Sequence, residues 1–262
     1  MNRPKMGDPS AMLIRAHKER TMDAKGRMIL ALDVADFHEA MGIVDEFKDH
    51  VGMFKVGKQL FTHCGPKIVE FIKSRNAGVF LDLKYHDIPN TVSKAAVEAA
   101  KLHVDMFNVH AAGGFTMMEQ TVEAISEAAA KLAVDRPKII AVTVLTSIDD
   151  EELKRMGIAL SAKELTRRLA LLTKEAGLDG VVAAGGEIEL IRDLCGKDFL
   201  IVTPGVRITE RKDDQKRTIS PGEAIRRGAT YVVLGRMVLS TEDPKAALRL
   251  VEDQISDALS RQ

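Results

Sequence analysis

The sequence is poor in the residues that mark several classes of protein. Its 262 residues include no Trp, two Tyr and two Cys, and 38 Lys and Arg residues balance 38 Asp and Glu residues. A chain with zero net charge and few aromatic rings lacks the basic surface and the stacking platforms of nucleic-acid-binding proteins. The longest predominantly apolar run, residues 139–145, is far too short to cross a bilayer. We therefore expect neither a nucleic acid nor a membrane as a partner.

The two cysteines, Cys64 and Cys195, are too few for a disulfide framework and fit a reducing cytoplasm. Cys64 follows His63, but adjacency in sequence does not make a nucleophile–base pair. Neither a CxxC nor an HExxH pattern occurs, so no metal site is predicted. Residues 1–26 lack the apolar segment of a secretory signal. We predict an N-terminal extension over residues 1–26 and a single cytoplasmic domain over residues 27–262.

From Met28 onward, short runs rich in Val, Ile and Leu alternate with amphipathic stretches, a pattern typical of buried parallel strands and covering helices. The predicted strands are Met28–Asp33, Val51–Gly57, Gly78–Lys84, Asp105–His110, Lys138–Thr146, Asp179–Ala183, Asp198–Pro204 and Thr230–Gly235. Asp36, Thr116 and Ser161 each precede a Glu by three residues and predict helix starts. Eight strand–helix units predict an α/β fold, a single-domain (β/α)8 TIM barrel, with a doubly wound sheet as the alternative.

Charged residues end the first three predicted strands. Asp33 ends the first, Lys55 closes the second, and Asp82 and Lys84 share one face of the third, with Asp87 in the next loop. Barrel enzymes place their chemistry at these carboxyl ends. A structural ion-pair network is one interpretation, and Asp87 could simply start the next helix. Because buried ion pairs seldom stabilise more than apolar packing does, the cluster favours a functional explanation.

The position of Lys84 between Asp82 and Asp87 indicates which chemistry it serves. Neighbouring carboxylates favour the ammonium form of a lysine. A Schiff-base lysine must instead be neutral when it attacks. The pattern therefore favours a proton donor over an amine nucleophile. Asp82, placed beside a substrate anion, would disfavour the ground state more than a transition state that has lost this charge.

The ends of the last two strands carry Gly and Arg. The seventh ends near Arg207 and the eighth in Gly235 and Arg236, where barrels commonly bind phosphate. Glycine lets backbone N–H groups approach the anion, and arginine binds it in a bidentate manner. The long polar loop over residues 208–220 has the length of a lid or binding loop. Gln215 within it could reach a phosphate or a base, although the loop's charged residues could equally be solvated.

Two further polar residues end predicted strands at the same mouth. Thr146 ends the fifth strand and offers a hydroxyl together with backbone donors. His110 ends the fourth strand, where it could serve as an acid–base group or bond neighbouring loops.

The run Asp82–Thr91, DLKYHDIPNT, resembles the signature of the orotidine 5'-phosphate decarboxylase family. Supporting stretches occur in the family's order at residues 30–33, 54–57, 110–114, 203–207, 214–217 and 235–236. The resemblance extends from Met28 to the C-terminus. It departs after the sixth strand, where Val182-Ala183-Ala184 replaces an expected Val-Cys-Ser without removing an assigned role.

The resemblance implies cofactor-free decarboxylation of orotidine 5'-monophosphate to UMP and CO2, the last step of de novo pyrimidine biosynthesis. Lys84 would protonate C6 and Asp82 would face the departing carboxylate. The resemblance further assigns Lys55 and Asp87 to an alternating Lys-Asp-Lys-Asp array, Asp33, Lys55, Asp87 and Thr91 to ribose hydroxyls, Thr146 to the pyrimidine, and Arg207, Gln215, Gly235 and Arg236 to the phosphate. Asp87 and Thr91 would reach the partner subunit's site, which implies a homodimer.

Three other functions remain as alternatives. Sugar-phosphate decarboxylases and hexulose-phosphate synthases resemble the chain over Asp-x-Lys-x-x-Asp but use a divalent metal. The continuation Ile88–Thr91 and the loop that carries Gln215 favour the pyrimidine enzyme over them. A Schiff-base aldolase would be trapped by borohydride, and an inactive nucleotide-binding barrel would show no turnover.

Overall fold

The computed structural model describes residues 22–208 and 219–261, in which strands and helices alternate. The strands are β1 (Met28–Ala31), β2 (Met53–Gly57), β3 (Gly78–Tyr85), β4 (Met106–His110), β5 (Lys138–Val142), β6 (Gly180–Val182), β7 (Leu200–Thr203) and β8 (Tyr231–Leu234). The helices are α1 (Phe37–Phe47), α2 (Lys58–Cys64), α3 (Lys67–Ser74), α4 (Pro89–Lys101), α5 (Phe115–Leu132), α6 (Asp150–Arg155), α7 (Ala162–Glu175), α8 (Ile188–Cys195), α9 (Pro221–Arg226), α10 (Arg236–Leu239) and α11 (Pro244–Ser260).

The eight strands form one closed parallel barrel in sequence order. Closure occurs between β1 and β8, where Ile29 lies opposite Val233, while on its other side Ile29 lies opposite Met53 of β2. The predicted (β/α)8 barrel is therefore confirmed, and the doubly wound sheet is excluded because such a sheet keeps two unpaired edges.

Alternation along the strands divides the apolar core into two layers. The inner layer fills the barrel and consists of Ile29, Met53, Phe80, Met106, Ile140 and Val202. Neighbouring positions such as Leu30, Phe54 and Phe107 point outward and pack against the helices. The inner layer closes the barrel from below, so the next inward-facing positions along each strand form the floor of the mouth.

Side-chain caps start two of the three predicted helices. Asp36 and Ser161 accept hydrogen bonds from the backbone N–H groups of Glu39 at 3.0 Å and Glu164 at 3.2 Å, as predicted. The prediction at Thr116 is wrong, because α5 already begins at Phe115. Gly114 precedes it with a φ of 89°, a conformation that favours glycine and turns the chain into the helix without a side-chain cap.

Two aspartates at the opposite, amino-terminal rim of the barrel connect neighbouring strands. One oxygen of Asp105 accepts from the backbone N–H of Val79 at 2.7 Å and from Lys73 Nζ at 2.9 Å. One oxygen of Asp179 likewise accepts from the Ile139 N–H at 2.7 Å and from an Arg136 guanidinium nitrogen at 2.7 Å. Each carboxylate thereby ties the start of one strand to the residue preceding the next strand.

Candidate active site

The charged residues of the first three strands meet above the inner apolar layer. Lys55 and Asp82 each stand two positions beyond a residue of that layer, and Asp33 stands four positions beyond Ile29. Because strand side chains repeat with a period of two, all three point into the barrel. Together with Lys84 they line a cavity of about 1510 Å³ at the carboxyl ends of the strands.

The four side chains form a chain of alternating charge. Lys55 Nζ lies 3.1 Å from Asp33 Oδ1 and 3.4 Å from Asp82 Oδ2. Lys84 Nζ donates to the other oxygen of Asp82 at 2.6 Å. Asp82 is only 8% exposed, and such a pairing of partly buried charges contributes little net stability. The arrangement instead holds two carboxylates and two lysine side chains in fixed positions facing the cavity.

Lys84 reaches Asp82 through an irregularity in β3. Its φ is 52°, in the left-handed region that non-glycine residues rarely adopt, and the β3–β4 register shifts between Leu81 and Tyr85. Asn108 of β4 accepts a hydrogen bond from the Lys84 backbone N–H at 2.8 Å and donates to Asp82 Oδ1 at 2.7 Å. Sequence reasoning missed Asn108 as a site residue. The signal was available, since Asn108 lies between inward-facing Met106 and His110.

Asp87 and Thr91 lie apart from this chain of charges. Asp87 is exposed, and its carboxylate accepts from the backbone N–H of Ile88 at 2.6 Å. Helix α4 begins at Pro89 with Ile88 before it, so Asp87 does not provide the helix cap. Thr91 is exposed in the first turn of α4, and Ile88 beside them is 65% exposed. Within residues 22–208 and 219–261, Asp87 therefore does not complete the array.

The segments that follow β5, β7 and β8 bring to the cavity the residues assigned to the base and the phosphate. Arg207, Gly235 and Arg236 line it at the ends of β7 and β8, and both arginine side chains are exposed. A Cβ at Gly235 would contact Ala31 and Asp33 at 3.8 Å, so the glycine leaves its backbone accessible rather than relieving a clash. Gln215 lies outside the described residues.

Thr146 lines the same cavity but does not end a strand. Strand β5 stops at Val142, and Thr143 instead bonds through its hydroxyl to the carbonyl of Val182 at 3.1 Å. Thr146 therefore stands on the following loop, exposed to the cavity. The prediction that strand five reaches Thr146 was wrong because the apolar run continues past the last ladder hydrogen bond.

Two histidines pack together beside Lys84. The rings of His86 and His110 lie 5.4 Å apart between centroids. Burial lowers the pKa of His110, and the nearby charges of His86, Lys58 and Lys84 lower it further. His110 is thus disposed to remain neutral, and its packing on His86 joins the end of β4 to the loop after β3.

The two cysteines are free thiols. Burial, followed by the charge of Asp36, raises the pKa of Cys64, which is the opposite of what a reactive thiolate needs. Among the described residues, no cluster of three or more His, Cys, Asp or Glu side chains is arranged to hold a metal ion. No helix in the same residues is both long and apolar enough to span a bilayer.

Comparison with known proteins identifies the family of this chain. A family model described as orotidine 5'-phosphate decarboxylase / HUMPS matches residues 26–251. Curated relatives named orotidine 5'-phosphate decarboxylase include that of Geotalea uraniireducens, 49% identical over 234 residues, covering 89% of this chain and 96% of the relative. The relative with the same name from Syntrophus aciditrophicus is 50% identical over 224 residues, covering 84% of this chain and 89% of the relative.

Solved structures agree with the sequence relatives. The crystal structure of orotidine 5'-phosphate decarboxylase from Lactobacillus acidophilus superimposes with a TM-score of 0.78 at 33% identity, covering 87% of this chain and 98% of that chain. The enzyme of that name from Pyrococcus horikoshii gives 0.68 at 27% identity over the same share of each. With the family model spanning nearly the whole barrel, this chain belongs to the orotidine 5'-phosphate decarboxylase / HUMPS family.

Proposed function

We propose that the chain decarboxylates orotidine 5'-monophosphate to UMP and CO2 without a cofactor, with Lys84 as the proton donor to C6. The activity itself, which belongs to pyrimidine biosynthesis, is supported by the family match and by the curated relatives. The proton-donor role rests on one observation: Lys84 Nζ lies 2.6 Å from a buried carboxylate at the cavity floor. A lysine ammonium can act as a general acid, and this contact fixes the position of the Lys84 side chain at the cavity.

The reaction needs one bond to break and one to form at C6. The bond from C6 to the carboxylate breaks, CO2 leaves, and the electron pair of that bond remains on C6. This electron pair takes a proton from the Lys84 ammonium and forms the new C6–H bond. Lys84 is then neutral until solvent protonates it again. The barrier falls if the proton is already held beside C6 as the charge develops.

Asp82 supplies the second element of the mechanism. Its carboxylate faces the substrate carboxylate in the ground state, and two like charges at close range repel each other. The repulsion disappears when neutral CO2 departs. Lys55 lies 3.4 Å from the other oxygen of Asp82 and holds that carboxylate from its second side.

Favourable contacts with parts of the substrate away from C6 offset the free-energy cost of the repulsion between the two carboxylates. Arg236, with Arg207, Gly235 and Gln215, would hold the phosphate, and Thr146 would contact the pyrimidine. Interaction energy gained at a remote, non-reacting group can be used for destabilisation at the reacting carbon. Asp33 and Asp82 line the cavity after β1 and on β3, and the exposed Arg207 and Arg236 line it after β7 and β8.

A second copy of the chain would complete the ribose site and supply the last charge of the array, that of Asp87. Asp33 and Lys55 would bind ribose hydroxyls from one subunit, and Asp87 and Thr91 of the partner subunit would complete the site. The exposure of Asp87, Ile88 and Thr91 on one connected segment supports this arrangement. We place this homodimer in the cytoplasm, where its two free thiols fit a reducing compartment.

An ultraviolet assay of substrate loss tests the reaction, carried out with and without exhaustive treatment with a chelator. Equal turnover in both supports the cofactor-free mechanism. If chelation abolishes turnover and a divalent metal restores it, the chain would be assigned to the metal-dependent sugar-phosphate enzymes instead. Absence of turnover in purified, folded protein would leave a nucleotide-binding barrel.

Mixing two inactive variants tests the shared site. In a hybrid of Lys84→Ala with Asp87→Ala, one of the two sites contains neither substitution. Random exchange of subunits should therefore restore about a quarter of the wild-type activity per subunit. If subunit exchange is demonstrated by mass and no activity returns, the shared site is wrong.

A further inference from the structure

Asn108 is a buried polar residue that contacts the charged cluster of the cavity and to which the mechanism above gives no role. It is fully buried on β4, between inward-facing Met106 and His110. Its amide nitrogen donates to Asp82 Oδ1 at 2.7 Å, and its amide oxygen accepts from the Lys84 backbone N–H at 2.8 Å. A backbone N–H can only donate and a carboxylate can only accept, so these two partners fix the orientation of the amide.

The two hydrogen bonds act on the two groups that carry the chemistry. The Lys84 backbone is in the left-handed region at a φ of 52°, where β3 and β4 lose their regular register. The Asn108 oxygen replaces a ladder partner there and holds this conformation. The same conformation directs the Lys84 side chain to Asp82 Oδ1. One amide therefore determines the geometry of both members of the ion pair.

We propose that Asn108 is a positioning residue for the decarboxylation, keeping the Asp82 carboxylate oriented when Lys84 leaves it to protonate C6. In the resting site Asp82 Oδ1 accepts from both Lys84 and Asn108. When Lys84 turns to the substrate, the Asn108 amide remains as a donor to that oxygen and prevents the carboxylate from rotating. This inference rests on the proposed function, because it presupposes Lys84 as the proton donor.

The first test is a comparison of kcat with KM. Asn108→Ala should lower kcat by about 10²-fold, the loss expected when a reacting group moves by about 1 Å. KM should change little, because Asn108 does not contact the cavity's phosphate side. Thr203→Val is the matched control. The Thr203 hydroxyl is equally buried, at the end of β7, and has no hydrogen-bond partner among residues 22–208 and 219–261, so its loss should leave kcat unchanged.

The second test uses the pH dependence of a near-isosteric variant. In Asn108→Asp, two adjacent carboxylates share the site and one of them binds a proton more readily than usual. A protonated Asp at 108 again offers one donor and one acceptor, as the amide does. The ratio of variant to wild-type kcat should therefore rise as the pH falls from about 8 to about 5.

Other titratable and charged groups lie near this pair. They are Asp33 after β1, Lys55 on β2, Lys84 on β3, His86 in the loop after β3, and His110 on β4 itself. All five are present in the wild type and in the variant. A rising ratio therefore reports on the change at residue 108 together with its coupling to these groups.

Two outcomes would overturn the proposal. They are a wild-type kcat in Asn108→Ala, and a ratio for Asn108→Asp that does not change with pH. If Asn108→Asp does not fold, Asn108→Ser decides, since one hydroxyl cannot satisfy both partners at their present spacing and kcat should still fall. An active Lys84→Ala would instead refute the proton-donor role within the proposed function. An inactive Lys84→Ala beside a fully active Asn108→Ala would refute the positioning role alone.

Discussion

The two rims of the barrel use the same residue types for different purposes. At the amino-terminal rim, Asp105 and Asp179 each accept one hydrogen bond from a backbone N–H group and one from a cationic side chain. At the carboxyl-terminal mouth, within the described residues, Asp33 and Asp82 accept hydrogen bonds from side chains alone. A carboxylate bound to the backbone holds strands together. A carboxylate bound only to side chains can exchange one of those partners for a substrate without breaking the contacts between strands.

The partners of a carboxylate, more than its charge or burial, distinguish a structural role from a chemical one. Asp179 is largely buried and paired with Arg136 at 2.7 Å, much as Asp82 is paired with Lys84 at 2.6 Å. Only at Asp82 does the pairing come with a left-handed backbone at the cation's own residue. Strained conformations of this kind concentrate at functional sites, because the surrounding contacts must stabilise them.

The largest difference in kcat between the two rims should appear when one lysine is removed from each in turn. Lys84→Ala should lower kcat by at least about 10³-fold, since it removes the proton donor, while circular dichroism shows the fold retained. Lys73→Ala is the matched control, because Lys73 also pairs with an aspartate, at 2.9 Å. It should leave kcat unchanged. Similar losses of kcat in both variants would mean that the two rims do not differ in function.

The next effect separates activity from stability by removing one aspartate at each rim. Asp82→Ala should lower kcat by about 10²-fold or more, since the substrate carboxylate meets no like charge and Lys84 loses its partner. Asp105→Ala should leave kcat unchanged but lower the free energy of unfolding by about 1–3 kcal/mol, because the Val79 N–H loses its acceptor. Steady-state kinetics and urea denaturation of both variants provide the measurements.

The fold could be predicted from the sequence because one physical rule governs every strand. Alternation with a period of two marks the inward positions, so the charged ends at Asp33, Lys55 and Asp82 follow from the apolar residues before them. The rule fails where the backbone departs from regularity. Neither the left-handed Lys84 nor the end of β5 before Thr146 is encoded in the apolar pattern.

The site was less predictable than the fold because it depends on contacts between strands. Alternation gives the face that Asn108 occupies but not its register against β3, and the register decides that it meets Asp82 and Lys84. Asp87 shows a second limit, since its expected place in the array depends on another copy of the chain. Both residues were visible in the sequence, but their partners were not.

A smaller effect concerns the arginines. Arg236→Ala should raise KM for the phosphorylated substrate by about 10- to 100-fold, the loss of one charge-assisted interaction, and should affect the bare nucleoside much less. Arg136→Ala at the amino-terminal rim is the control, since Arg136 bonds to Asp179. It should reduce thermal stability without changing either KM. Equal losses for nucleotide and nucleoside in Arg236→Ala would show that this residue does not bind the phosphate.

The smallest effect is a pH dependence of stability that arises at the mouth. Burial, and then the charges of His86, Lys58 and Lys84, lower the pKa of His110 in the folded protein. Below the unfolded value of about 6.5, the unfolded chain therefore binds a proton more readily than the folded chain, and stability falls as the pH falls through this window. Between about pH 7.5 and pH 5.5, the melting temperature of His110→Gln should therefore fall by less than that of the wild type. His63→Gln, on the exposed surface of α2, should behave as the wild type does. An unchanged pH dependence in His110→Gln would assign the acid sensitivity to groups away from the mouth.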